Sequence, residues 1–244
     1  MSASTTARSR ARAELTREIK AAARRQLAAD GAAQLSLRAV ARELEMVPSA
    51  LYRYFPNRDE LLTALIVEAY DALGEHTERA VAAQPATDAW GRWRTGCHAL
   101  RSWAIAHPHE FALLYGSPVP GYRAPSDTIA PATRVYNLLL DTVRDACRRG
   151  QLSATAGPAL PLSLDKDAQL LLSALDVREL PPTVVVRTIA AWTQLIGAVS
   201  MELFGHLQGA FTDNTAFFDH AVALMGSLVG LDSAVPAEMT PPAQ

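Results

Sequence analysis

The sequence predicts an all-α protein. Two observations predict the class. Apolar residues recur at three- and four-residue spacings along nearly the whole chain. No segment shows the period-two alternation between turn signals that marks a half-buried strand, and "TVVVRTI", though β-branched, runs straight into a long helical pattern. A third observation bears on partners rather than class: charge is unevenly spread. Up to Leu62 there are 11 Lys/Arg against 7 Asp/Glu, a net of +4, and from Thr63 onward 12 against 18, a net of −6. With 49% hydrophobic residues over 244 positions, the chain has material for a sizeable core.

The first helix is expected from about Arg10 to Ala29, with Leu15, Ile19, Ala23 and Leu27 on one side and a stop at Asp30-Gly31. Residues 1–10 precede it as a basic arm, so that Arg8, Arg10 and Arg12 are free to enter a minor groove or to stay solvated. Ser36 is placed to cap a second helix that turns Leu37, Val40, Ala41 and Leu44 inward. Glu45, Met46 and Val47 form a three-residue turn, and Pro48 suits the first position of a third helix because its missing N–H would be unsatisfied there anyway. That helix, "PSALYRY", is barely two turns. Asn57 caps the fourth, whose long apolar face carries Leu61, Leu62, Leu65, Ile66, Ala69, Tyr70 and Leu73.

Two short helices joined by a three-residue turn have the size of a helix-turn-helix, whose second helix enters a DNA major groove. The excess of positive charge at this end fits contact with phosphate. Short helix pairs also serve as ordinary bundle connectors, so the pattern leaves both readings open. The residues narrow it: "SLRAVARELEMVPSALYRYFPNRDELL" resembles the DNA-binding signature of TetR-family transcription regulators, over about 45 contiguous residues when the first helix is included. The resemblance implies an all-helical homodimer with a three-helix DNA-binding domain at 1–62 and a larger C-terminal ligand-binding and dimerising domain at 63–231; the tail at 232–244, rich in Pro and Ala, is expected to be disordered. It also implies site residues. Ser36 and Arg38 would lie near the backbone, Pro48, Ser49, Ala50 and Arg53 would face the groove, and Tyr52, Tyr54 and Arg58 would hold phosphates, with Leu51 and Phe55 in the core. Two positions depart from the family pattern. Glu45 stands where glycine is common, at a turn where a positive φ is convenient and a side chain costs about 1–2 kcal/mol. Arg58 replaces the usual lysine, keeping the charge and adding a forked donor.

Beyond Leu73 the expected helices run from about Thr87 to Ala106, Thr128 to Arg149, Asp165 to Asp176, from Val185 onward, and Asn214 to Gly230. The first carries Trp93, Cys97, Leu100 and Ala104 on one stripe, with Trp90 and Trp103 nearby. "HPHEFALLYGSPVPGYRAPSDT" then breaks the helical pattern with four prolines and adds Phe111, Tyr115 and Tyr122. Aromatics beside such a segment either line a small-molecule cavity or complete a core. With the family's implication of a ligand, the candidate lining is Trp93, Cys97, Trp103, Phe111, Tyr115 and Tyr136. The candidate dimer interface is the seam Val185, Ile189, Trp192, Ile196, Val199 and Leu203, spaced alternately four and three apart, together with Phe217 and Leu224 of the last helix.

Other classes lose ground on the residues present. Cys97 and Cys147 make neither a disulfide framework nor a zinc site, which fits a reducing cytoplasm. "HPHE" at 107–110 has metal-capable side chains, but Pro108 breaks the face that i, i+4 ligands need. Ser117 is in no G-x-S-x-G elbow, and there is no P-loop. No cofactor, no metal and no enzymatic activity are expected. The most apolar stretch, "TIAAWTQLIGAVSMELFGHL", is interrupted by Gln194, Glu202 and His206, so no membrane span is expected either. The reading is a ligand-responsive repressor, released from a near-palindromic operator by a small apolar or aromatic effector. A helical protein-binding adaptor and an unrecognised helical enzyme are the alternatives; specific DNA retention that is lost at high salt separates the regulator from both.

Overall fold

The computed structural model describes residues 2–153 and 158–231; the expected tail from Asp232 lies outside them. Ten α-helices are described: α1 (Ser2–Asp30), α2 (Leu37–Glu43), α3 (Pro48–Leu51), α4 (Arg58–Ala82), α5 (Ala89–Ala106), α6 (Pro108–Tyr115), α7 (Ile129–Arg148), α8 (Leu162–Ala174), α9 (Pro182–Leu203) and α10 (Asn214–Val229). Two 3-10 turns, Ala32–Gln34 and Ser126–Thr128, join α1 to α2 and lead into α7. Among the described residues there is no strand.

The helix boundaries follow local chemistry. Residues 2–30, rich in Ala and Arg, hold no Gly or Pro, and α1 is helical from Ser2, so residues 2–10, expected as an arm, continue the helix. It stops where Gly31 takes φ 79° and donates its N–H to the Leu27 carbonyl at 3.0 Å. Asn57 caps α4, its Oδ1 accepting from the Glu60 N–H at 2.9 Å. Asp213 caps α10 by accepting from the Thr215 and Ala216 N–H groups, each at 2.9 Å. The proline-rich segment after α5 differs from expectation. Pro108 opens α6 instead of breaking a helix, for the same reason that Pro48 opens α3.

The chain divides into two compact units. The first holds residues 1–72 and 107–132, so α6 with its following loop belongs here. Ile19, Ala22, Ala23, Leu35, Val40, Ala41, Leu51, Leu61, Leu62 and Leu65 form its core, with Leu113, Leu114, Val119 and Tyr122 packed against it. Glu68 accepts from both Lys20 and Arg24, the latter at 2.6 Å, and ties α1 to α4.

The second unit holds residues 73–106 and 133 onward. Helix α9 packs along α10 and α8, and both α9 and α10 contact α5. Trp93 is buried, its indole N–H donating to the Val222 carbonyl at 3.4 Å. Gly226 leaves room for the Trp90 ring, 2.4 Å from where a Cβ would stand. Arg101 makes a two-pronged ion pair with Glu202, at 2.7 and 2.6 Å, fastening α5 to α9. By length and composition alone α9 would match a membrane span, with 22 residues and a mean hydropathy of 1.4, but its Val185, Ala191, Leu195 and Val199 side is buried in the helix packing of this unit.

Candidate nucleic-acid interface

The turn between α2 and α3 is a helix-ending αL motif. Glu45 takes φ 53° and donates its N–H to the Arg42 carbonyl at 3.2 Å, while the Met46 N–H reaches back to the Ala41 carbonyl at 2.8 Å. These are the two bonds of the Schellman arrangement, and Met46 adds the usual apolar contact by packing against the core. The departure from glycine thus keeps the turn and places a side chain in the left-handed region, at a cost of about 1–2 kcal/mol. The Glu45 carboxylate is exposed. Val47 follows in extended conformation as the N-cap of α3, with Pro48 at the first helical position. Although α3 proper is only four residues, turns continue it: Tyr54 donates to the Leu51 carbonyl at 2.8 Å and Phe55 to the same oxygen at 3.1 Å. Leu51 and Phe55 are buried, as expected. What remains outside is Val47, Pro48, Ser49, Tyr52 and Arg53, with Ala50 half-buried.

The phosphate-facing candidates fall into two groups. Ser36 stands at the N-cap of α2, but its side chain makes no capping bond; its backbone N–H instead donates to Gln26 Oε1 at 2.8 Å, leaving the hydroxyl to other partners. Arg38 and Arg53 are exposed, as is Tyr52. Ser36, Arg38, Tyr52, Asn57 and Arg58 line one open hollow of about 360 Å³. Hydroxyls and guanidinium groups around a shallow recess suit an anion such as a phosphodiester.

Arg58 and Tyr54 also have partners within the protein. The Arg58 guanidinium donates to the Leu35 carbonyl at 3.1 Å, Ala32 at 2.9 Å and Ala33 at 3.1 Å. It clamps the 3-10 turn that precedes α2, because the forked donor that suits a phosphate suits a cluster of carbonyls equally well. Tyr54 packs against the core, and Arg12 lies over its ring with the guanidinium carbon 5.3 Å from the centroid. Arg12 also donates to the Arg53 carbonyl at 3.4 Å, so this arginine braces the end of the recognition segment from α1 instead of preceding it.

This geometry agrees with what the chain resembles. Residues 19–65 match the family described as bacterial regulatory proteins, tetR family, and residues 93–225 match the tetracyclin repressor-like C-terminal domain. The chain belongs to the TetR family. Over 219 residues it is 39% identical to the HTH-type transcriptional regulator Rv1816 of Mycobacterium tuberculosis (strain ATCC 25618 / H37Rv), covering 88% of this chain and 92% of that protein. A regulator named Mb1846 in Mycobacterium bovis matches to the same extent. Among solved structures, the putative regulatory protein SCO4313 is 34% identical with a TM-score of 0.71, over 89% of this chain and 97% of that one. A protein of unknown function from Rhodococcus sp. RHA1 is 26% identical with a TM-score of 0.62, over 88% and 93% of the two chains. The protein is a transcription regulator of the TetR family and not an enzyme.

The candidate effector residues of this TetR-family chain are spread over the two units. Trp93, Cys97 and Trp103 are buried in the second unit, and burial pushes the Cys97 thiol far above its ordinary pKa. Phe111 and Tyr115 belong to the first unit, where Tyr115 meets Tyr70 edge-on at 5.9 Å and Phe111 at 5.1 Å. Aromatics on the α5 stripe are core, the bland alternative left open by the sequence. Tyr136 is different. Its hydroxyl is buried without a hydrogen-bond partner, its ring meets Trp192 at 6.1 Å, and burial pushes its pKa up to about 12. It packs against Leu140, Leu172 and Val185 where α7, α8 and α9 meet.

The residues of the expected dimer seam do not share one face. Val185 and Val199 are 0% exposed and face their own unit, whereas Ile189 (37%) and Leu224 (53%) are open; Trp192, Ile196, Leu203 and Phe217 are half-buried. The inward stripe of α9 is Val185, Thr188, Ala191, Leu195 and Val199. A pattern read from large apolar residues gives small Thr188 and Ala191 no weight, so it slides onto the neighbouring stripe. The outward apolar set is Ile189, Met201 and Phe204 on and just after α9, with Leu224 and Leu228 on α10.

Proposed function

We propose that this regulator is a homodimeric repressor that acts in the cytoplasm on a near-palindromic operator and is released by a small apolar or aromatic effector. The observation that carries the DNA-reading part is the exposed face of α3, where Pro48, Ser49, Tyr52 and Arg53 stand beyond a turn whose own bonds are closed. One such helix touches too few bases to be selective, so two half-sites about 34–36 Å apart, or a multiple of that, are required, and a two-fold dimer supplies them. The outward apolar set of α9 and α10 supports the dimer, since helices with a second apolar face suit a four-helix contact between subunits.

For the effector, the support is the orphan hydroxyl of Tyr136. A buried O–H without a partner is costly, and a ligand with one acceptor and an apolar body satisfies it. A solved structure of the same fold, RolR, is a complex with resorcinol; at 15% identity and a TM-score of 0.54 the likeness is one of fold, and it supports small phenols as the first class to screen. Helix α4 runs unbroken from Arg58 near the recognition segment to Ala82, across the division between the units, and offers a path by which effector binding shifts the population of DNA-competent dimers.

The test selects duplexes from a random pool with the full chain, measures half-site spacing by footprinting, and screens small phenols and apolar compounds for thermal stabilisation. A symmetric footprint that a stabilising compound dissolves is the expected result. In Tyr136→Phe, that compound's affinity should drop about tenfold, the worth of one buried hydrogen bond, with operator affinity unchanged. No compound stabilising the wild type, or equal affinity in the variant, removes Tyr136 from the effector site.

A further inference from the structure

We infer that Val47 reads the C5-methyl group of a thymine in each operator half-site. The inference rests on the DNA-reading role proposed above and adds to it a residue that sequence patterns pass over.

Val47 is 66% exposed, the most open of the large apolar side chains on the α2–α3 segment. It is the N-cap of α3, in extended conformation, with no side-chain capping bond. Ser, Thr, Asp or Asn at that position would satisfy an orphan N–H of the helix, and valine cannot. Position 47 therefore forgoes a local stabilisation and leaves an aliphatic group in water. Its neighbours show that this is not a failure to find the core: Met46 packs against the core and Leu51 is 0% exposed, while Pro48 and Ser49 stand open beside Val47.

The N-terminal residues of a recognition helix are the ones that approach base edges. In the major groove the base edges offer donors and acceptors to polar side chains, and the thymine methyl is the apolar feature among them. Val47 has no donor or acceptor beyond its backbone, so burying its methyl groups against that methyl is the contact its chemistry allows. Ser49, one turn position on and carrying a hydroxyl, is left to polar edges.

The experiment starts from the duplex selected with the full chain, in which each thymine is replaced singly by deoxyuridine, a change that removes only the methyl. Wild-type affinity is expected to fall about fourfold at one thymine per half-site, the loss of one buried methyl, and about sixteenfold when both half-sites are changed. Val47→Ser should bind the thymine and uracil duplexes equally at that position, keep its salt dependence, and melt no lower than wild type because serine restores the cap. Val47→Ala should show the same indifference to the methyl. A scan that is flat at every thymine overturns the assignment, as does a loss that persists undiminished in Val47→Ser. If no duplex is enriched over the pool, the DNA-reading role itself fails, an outcome separate from a flat scan on an enriched site.

Discussion

The outward faces of α2–α3 and of α9–α10 are both left open by packed helix pairs, and their chemistry is opposite. The first shows Arg38, Arg42, Arg53, Ser49 and Tyr52 beside Val47, Pro48 and the carboxylate of Glu45. The second shows Ile189, Met201, Phe204, Leu224 and Leu228. A surface of the first kind is at home in water and waits for a polyanion; one of the second kind is costly to leave wet and marks an apolar partner. The lesson is that exposure alone does not identify a site. Each face is defined by what would have to cover it.

The sharpest way to break that contrast is to put a charge on the apolar face. Leu224 is more than half exposed, so Leu224→Glu keeps its carboxylate in water and leaves the fold of one subunit within about 0.5 kcal/mol of wild type. Across a two-fold contact the same carboxylate would be buried without a partner, at several kcal/mol. The dimer is expected to split at micromolar concentration and operator affinity to fall by about two orders of magnitude or more, with the α2–α3 residues untouched. Sedimentation and fluorescence anisotropy check it. A Leu224→Glu variant that remains dimeric would take the interface away from this face.

The next effect separates two arginines on the charged side. Arg58→Ala removes donors from three carbonyls and should lower stability by about 2 kcal/mol, read by urea melting, without altering the salt slope of DNA binding. Arg38→Ala should leave the melting curve in place and reduce the salt slope by about one unit. If Arg58→Ala changes the slope instead, its guanidinium leaves the carbonyls when DNA is present.

The smallest effect tests the turn between the two reading helices. Glu45→Gly relieves a non-glycine φ of 53° and should raise stability by about 1 kcal/mol, seen as a higher urea midpoint with unchanged m-value. Asp176 takes the same φ at the end of α8, where its short side chain suits the left-handed region better, so Asp176→Gly should gain less.

The parts of this fold that depend on near neighbours in sequence were legible: Pro48 as a helix start, Asn57 as a cap and Asp30-Gly31 as a stop, while at Glu45 the sequence left open whether the turn keeps its positive φ. Parts that depend on distant neighbours were not. Nothing local to Arg58 indicates that its partners lie 23 to 26 residues earlier, and a charged side chain beside a recognition helix reads naturally as a phosphate ligand. Pro108 was ambiguous because the same ring both breaks helices and begins them. The stripe on α9 misled for a third reason: its buried side is built in part from alanine and threonine, whose inward placement is decided by neighbouring helices and not by their own hydrophobicity. Val47 was read only as part of the turn, because exposure of a single aliphatic side chain there is decided by the packing of Met46 and Leu51 around it.

The Arg58 clamp also bears on how the small unit comes apart. Its guanidinium belongs to the first residue of α4 and holds the carbonyls that lead into α2, so fraying of the α4 start and loosening of the link between α1 and α2 cannot occur as independent fluctuations. Short helices held only by their own ladders open readily, and α2, with seven residues, would be among the first. Joined through one side chain to a 25-residue neighbour, it shares that neighbour's persistence, and backbone amide exchange in α2 should be as slow as in the opening turns of α4.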